Sequence, residues 1–344
     1  MPIKSVIVNK TSIYQKMIIV TGATGHIGNV LVRKLLAQGE TVGIVSRSRR
    51  QEQALAGLQY TLFEGDLSDV DFLTRTFAQA QQVYHLAGLI SILPNQLTEL
   101  TQTNIVGTQN VLTACRASGV QRLVYTSSTH TFRELPHGTA LTEVVEDDLT
   151  KVDGDYAVTK IKATQAVFEA ARAGLNVVVV FPSGVTGPFD FKPSEMGGRI
   201  QQFLRGWLPF RVEGAYNFVD VRDVANGLIA AMQHGVSGEG YCLCGYSVTV
   251  RALFEAAAAA QGKGRRTFAI PYSVAYLSAQ VLEVFAKTFS FAPTFTTYAL
   301  RVLRSNSDIS FAKAHQAFGY SPRPITTAIT DYVRWVEGKP VSLE

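Results

Sequence analysis

The chain has 344 residues, 47% of them hydrophobic and 17% charged, enough for a sizeable core and for two lobes of a globular protein. Its net charge of +5 comes from dispersed basic residues, so nucleic acid is not needed to explain it. Three cysteines, Cys115, Cys242 and Cys244, cannot make a disulfide framework and lack the further ligands of a zinc site, which points to a reducing, cytoplasmic compartment and to no metal.

In chain order, residues 1–16 hold no apolar stretch long enough for a signal peptide and read as an extension or an upstream start. Near-continuous apolar runs at 17–20, 41–45, 58–63, 82–86, 122–126 and 176–181 predict strands buried on both faces. Helical spacing over 27–37, 70–77, 97–117 and 156–172 fills the intervals. Such alternation means an α/β protein with a doubly wound, Rossmann-type parallel sheet over residues 17–181. Segments near 215–248, FVDV (218–221) and GYCLCG (240–245), read as strands returning to that sheet. Residues 182–214 and 249–338 are left as a smaller, mainly helical C-terminal substrate lobe. The apolar stretch 268–293 is interrupted by Gln280, Glu283 and Lys287, short of the roughly 18 unbroken residues of a membrane span, and reads as a helix over the substrate site or a neighbouring subunit.

Chemistry enters first at TGATGHIG (21–28). Gly22 permits a tight turn after the first strand, Gly25 lets backbone approach a pyrophosphate, and Gly28 lets the following helix pack closely. The helix N-terminus then offers free N–H groups to phosphates. After the second strand an NAD site would carry an acid, but here stand Ser46, Arg47, Ser48, Arg49 and Arg50. A guanidinium can hold a 2′-phosphate, so the cofactor reads as NADP, with NAD and a solvated basic loop as the alternative. Further on, Tyr156 and Lys160 share a helix face at i and i+4 with Ser128 upstream. An ammonium there favours the ionised phenol, and a phenol so tuned can pass a proton to a carbonyl oxygen.

These elements together resemble an extended short-chain dehydrogenase/reductase of the epimerase/dehydratase superfamily, in the branch of dihydroflavonol reductases and 3β-hydroxysteroid dehydrogenases. The resemblance runs from Met17 to Trp335 through GDL at Gly65, YHLAG at Tyr84, NIVGTQNVL at Asn104, VYTSS at Val124, YAVTK at Tyr156, FPSGVTGP at Phe181, NFVDVRDVA at Asn217 and DISFAKAHQAFGYSPRP at Asp308. It implies Tyr156 as general acid/base, Lys160 as its modulator and ribose partner, and Ser128, rather than Ser127, on the substrate oxygen. For the cofactor it implies Gly22, Thr24, Gly25, His26, Ile27, Gly28, Arg47, Leu86, Thr126 and Lys160, with Asp66 and Leu67 at the adenine, Ala87 and Gly88 in the channel, and Pro182 and Ser183 at the nicotinamide. Asn104 braces backbone, and His85 belongs to the core. Thr129 and His130 stand where dehydratases of this fold place Asp-Glu, and Tyr216 stands where many nucleotide-sugar epimerases place an arginine. A substrate pocket of Ile90, Thr129, His130, Phe189 and Tyr216, with Leu89, Ile92, Phe191 and Tyr276 nearby, suits an uncharged, apolar carbonyl or alcohol. The resulting expectation is an NADP-dependent carbonyl/alcohol oxidoreductase, with a sugar epimerase and a non-catalytic NADP sensor as alternatives. Its partner is a small molecule, and a homodimer is compatible with the chain.

Overall fold

The computed structural model describes residues 17–48, 53–90, 96–289 and 296–344, with the backbone alone over 284–289. The N-terminal extension, Arg49, Arg50 and Ile92 lie outside the described residues. Six short strands come first: β1 (Met17–Thr21), β2 (Val42–Ser46), β3 (Thr61–Glu64), β4 (Ala80–His85), β5 (Arg122–Thr126) and β6 (Val177–Pro182). Then follow β7 (Gly184–Thr186), β8 (Phe210–Val212), β9 (Ala215–Asp220), β10 (Gly240–Leu243), β11 (Tyr246–Thr249) and β12 (Phe268–Ile270). A seven-stranded sheet has the order β10-β6-β5-β4-β1-β2-β3, every pairing parallel.

Burial explains the absence of polar alternation. Every residue of β6 is buried, and its side chains divide between two apolar clusters. Val178 and Val180 join Ile18, Val20 and Ile44 on one face, while Val177, Val179 and Phe181 join Ile19, Val83 and Tyr125 on the other. Helices α1 (His26–Ala37), α2 (Val70–Phe77), α3 (Leu97–Leu100), α4 (Gly107–Ser118), α5 (Asp155–Arg172), α6 (Glu195–Arg205) and α7 (Val221–His234) follow in chain order. Of these, α1 and α7 cover the first face and α2, α4 and α5 the second. The C-terminal part adds α8 (Val250–Gln261), α9 (Tyr272–Phe289), α10 (Thr297–Val302), α11 (Ala312–Phe318) and α12 (Ile325–Val336).

Two readings of the sequence change here. The segments near 215–248 split: β10 extends the main sheet, but β9, which contains most of FVDV, is the centre of a separate three-stranded sheet, β11-β9-β7. The single helix expected over 97–117 is interrupted by a stretch of π-helix at Thr101–Val106, which turns Asn104 inward to the backbone of Leu89.

The order of the main sheet reverses between β1 and β4, the crevice where doubly wound sheets bind ligands. The glycine turn leaves β1 at that point. Gly22 has φ +74°, and a Cβ there would meet the Ala87 nitrogen at 2.5 Å. Gly28 packs on Gly22 with no room for a Cβ, whereas Gly25 is exposed. The backbone is thus locked against the sheet at two glycines and open at the third.

Candidate active site

Helix α5 begins just after Gly154, whose φ of +89° only glycine adopts readily, and carries Tyr156 in its first turn and Lys160 one turn on. Both are buried. Ser128 follows β5, capping a 3₁₀ turn by accepting the His130 N–H at 3.3 Å, and lines the same cavity as Tyr156. The Lys160 ammonium donates to the Tyr125 hydroxyl and the Thr126 carbonyl, each at 2.8 Å, and sits 4.5 Å from the Tyr125 ring centroid. Ser127 is turned away, its hydroxyl bonded to that of Thr164 at 2.6 Å.

Lys160 acts on Tyr156 in the direction expected, but it is not the larger effect. Burial raises the Tyr156 pKa, and the pull of Lys160 and Ser128 in the other direction does not overcome it. The same burial pushes Lys160 down to about 8, against a partial restoring effect of Tyr156. At neutral pH, then, the phenol is protonated and the amine charged.

The residues expected at a dinucleotide gather along the crevice. Gly22, Gly25, His26, Ile27, Gly28, Leu86, Gly88, Thr126, Lys160, Pro182 and Ser183 line one continuous cavity with Ser128 and Tyr156. Hydroxyls of Thr126 and Ser183 are buried without a hydrogen-bond partner among the described residues. Buried donors left bare are costly, which makes them places for a ligand to complete. The open side of Gly25 and the first N–H groups of α1 suit phosphates. The chain therefore fits a dinucleotide. Thr24 and Ala87 sit in the flanking turns outside the cavity lining. The His26 side chain does a structural task, bonding the Pro188 carbonyl at 2.9 Å. Asp66 and Leu67 follow β3: Asp66 is held below the usual carboxylate range chiefly by the Ser68 N–H, and the Leu67 carbonyl accepts from Asn110. Arg47 is 84% exposed, its Nε 4.0 Å from Asp66. His85 is core, bridging Thr21 and Thr108, with burial holding it neutral at a pKa of about 3.

Beyond Tyr156 the cavity, about 440 Å³, is walled by apolar side chains of Met196, Val212, Phe254, Leu300 and Leu303. Polar side chains interrupt them: Ser194, Glu195, Arg199 and Arg211 also line the cavity, and a buried cluster stands beside Tyr156. His130 receives or gives hydrogen bonds to Tyr216 at 3.0 Å and Tyr298 at 3.1 Å, and its ring lies 5.9 Å from that of Tyr156. Burial lowers His130 to about 4, so it is neutral and bonds one phenol as donor and the other as acceptor.

Not all pocket residues read from the sequence meet there. His130, Tyr216 and Ile90 line the cavity. Thr129 is buried and does not line it. Phe189 is placed elsewhere: its φ of +67° sets it beneath Arg33 on α1, 5.4 Å from the guanidinium, with its carbonyl bonded by Asn29. Phe191 packs on Trp335, and Tyr276 stacks on Tyr272. Tyr298 went unread because its partner His130 is 168 residues away, a pairing no periodicity carries.

The family model described as "NAD dependent epimerase/dehydratase family" matches residues 18–244. The chain belongs to this family. Among relatives of this epimerase/dehydratase protein, "Sterol demethylase protein B" of Methylococcus capsulatus is 33% identical over 92% of this chain and 97% of its own. A "Putative dihydroflavonol 4-reductase" of Synechocystis is 30% identical over 92% and 94%. Among solved structures, that of gox2253 superposes with a TM-score of 0.82 at 30% identity, covering 94% of this chain and 98% of that one. The protein is an NAD(P)-dependent oxidoreductase of the extended short-chain dehydrogenase/reductase type. Among the described residues no helix is long and apolar enough to cross a membrane, and no group of three or more His, Cys, Asp or Glu could hold a metal.

Proposed function

We propose that the protein interconverts an apolar aldehyde or ketone and its alcohol with NADP. The observation that carries this is Tyr156, flanked by Ser128 and Lys160, in the wall of a cavity whose other sides are largely apolar. Ser128 holds the carbonyl oxygen. The bound nicotinamide supplies hydride to the carbonyl carbon in reduction and accepts it in the reverse direction. Tyr156 gives its proton to the oxygen as the C=O π bond becomes a C–O single bond, and the phenolate left behind is stabilised by the Lys160 ammonium and the Ser128 hydroxyl. In oxidation the same phenolate takes the proton back. Tyr125 and the Thr126 carbonyl hold Lys160 in place for this.

Segments 182–214 and 249–338 form the substrate lobe, since α6, β8, α8 and α10 supply most of the apolar wall. The names of the two relatives favour an apolar substrate over a nucleotide sugar. Tyr216, engaged with His130, is not a diphosphate clamp, which speaks against the epimerase; the intact Ser128, Tyr156 and Lys160 speak against a mere sensor.

Binding measurements test the cofactor and substrate together. Arg47 stands at the end of β2, and its paired hydrogen bonds to a 2′-phosphate should favour NADPH over NADH by about 1.5–3 kcal/mol, roughly tenfold to over a hundredfold in Kd. Arg47→Ala should weaken NADPH and spare NADH, to the extent that Arg49 and Arg50 do not substitute for it. With cofactor bound, UDP-, GDP- or dTDP-sugars should add little to thermal stability. Equal affinity for the two dinucleotides would overturn the NADP assignment. A saturable extra shift with a nucleotide sugar would restore the epimerase.

A further inference from the structure

The exposed large apolar side chains are not scattered. Six of the eleven among the described residues, Trp207, Phe210, Phe268, Val274, Leu277 and Val281, fall in two chain segments that the fold brings together. Strands β8 and β12 pair with Phe210 directly beside Phe268, and the Phe268 N–H bonds the Pro209 carbonyl at 2.8 Å. Helix α9 leaves β12 at once, packs Ala275 and Ala279 inward, and leaves Val274, Leu277 and Val281 exposed at helical spacing. Trp207 is 71% exposed and Phe268 68%. Isolated exposed apolar residues need no explanation, but a contiguous patch of aromatic and aliphatic groups does.

Charge decides what covers it. Beside the patch lies a concavity of about 750 Å³ lined by Arg211, Arg251, Lys263, Arg265 and Arg266, with Glu255 as its one acid. Arg211 and Arg251 are paired with Glu213 and Glu255, while Lys263, Arg265 and Arg266 have no ion-pair partner among the described residues. Arg265 lies against Gly206 with its Nε buried and unbonded, and Arg205 stands 5.4 Å over the Trp207 ring. Cations therefore adjoin the aromatic groups, Arg205 and Arg265 on either side of the Gly206–Trp207 turn and Arg211 next to Phe210 on β8.

We propose that this face docks on an anionic lipid surface. Trp207, Phe210 and Phe268 enter the boundary between headgroups and acyl chains, where amphipathic rings are favoured, and the cations meet lipid phosphates. A second copy of the chain is a poor occupant, because a two-fold contact would set this excess of positive charge against itself. Nucleic acid would match the cations but not Val274, Leu277 and Val281. The patch also adjoins the catalytic cavity, which is lined by Phe210 of the patch and by Arg211 of the concavity. An apolar substrate could thus pass from a bilayer to Tyr156 with little exposure to water. Docking itself does not depend on the reaction proposed above.

The full chain reports on this without a label, since its two tryptophans are Trp207 and Trp335, and Trp335 is half-buried against Phe191. Titration with phosphatidylcholine vesicles containing about one-fifth phosphatidylglycerol should shift tryptophan emission to the blue and bind roughly tenfold or more tighter than phosphatidylcholine alone. Raised salt should reverse the binding. Lys263→Glu with Arg266→Glu, and separately Phe268→Ser, should each weaken it roughly tenfold or more while leaving the melting temperature in place. Trp207→Phe should bind but lose the spectral shift. Absence of binding to anionic vesicles at low salt, or equal binding by the charge-reversed variant, would overturn the proposal. So would a blue shift that rises with protein concentration without lipid, which would assign the face to a second copy.

Discussion

Tyr156→Phe should lower turnover on the authentic carbonyl by about a hundredfold or more, on the order of 3 kcal/mol of barrier, with the NADPH dissociation constant almost unchanged. The phenyl ring fills the same buried space and only the hydroxyl is lost, so the loss belongs in kcat. The pH dependence has a definite sign. Tyr156, raised by burial, keeps its proton through the neutral range, and Lys160 is charged below its pKa of about 8. Carbonyl reduction should therefore hold its rate at neutral pH and fall as pH rises through about 8, where the ammonium that stabilises the departing phenolate is lost. Steady-state kinetics across pH, with cofactor affinity measured separately, reads both effects. Near-normal turnover of Tyr156→Phe would remove Tyr156 from the chemistry.

Arg222→Met should cost about 3–5 kcal/mol of stability, the usual consequence of leaving one partner of a buried ion pair uncompensated. Arg222 and Asp220 are 1% and 0% exposed, at the start of α7. The guanidinium donates to both Asp220 oxygens at 3.0 and 2.7 Å, to Asp331 on α12 at 2.8 Å, and to the Ser342 carbonyl near the C-terminus at 3.0 Å. Asp220 also caps α7 by accepting the Arg222 N–H at 2.8 Å. Methionine keeps the bulk and the backbone N–H but leaves Asp220 only the more distant Arg323, at 3.8 Å, as a cation. A fall in Tm on the order of 10 °C follows for a chain of this size. Lys313→Ala, which breaks the exposed pair with Glu239, should shift stability by no more than about 1 kcal/mol. Equal Tm changes for the two variants would show that the buried network contributes nothing special.

That network also marks how far the sequence could be read. VDVRD was visible as a motif, but nothing in its spacing said that Arg222 would be buried between two acids or that β9 would leave the main sheet. Most of the leading strands and α1, α2 and α5 were legible because burial leaves unbroken apolar runs and helical burial leaves a repeat, whereas β3, at the sheet edge, has no buried residue and begins three residues after the run read at 58–63. Gly22 and Gly28 were legible because close backbone approach excludes every side chain. The π-helical stretch around Asn104 was not, since its inward turn is driven by hydrogen bonds to Leu89 rather than by any periodicity. Likewise Tyr298 and the apolar wall of the cavity come from α6, β8, α8 and α10, which share one cavity with His130 and Tyr216 only in three dimensions. Phe189 was misplaced because an aromatic beside a proline-glycine turn says nothing of the left-handed φ that points it at Arg33.

The most direct test is the stoichiometry of cofactor oxidation against product in a single reaction mixture. The protein, excess NADPH and a panel of apolar ketones and aldehydes are incubated together, and both NADPH consumed and alcohol formed are quantified. One NADPH oxidised for each alcohol produced, abolished by Tyr156→Phe, is the expected result. Net conversion of a nucleotide sugar to its epimer with no NADPH consumed, and no turnover of any apolar carbonyl, would contradict it.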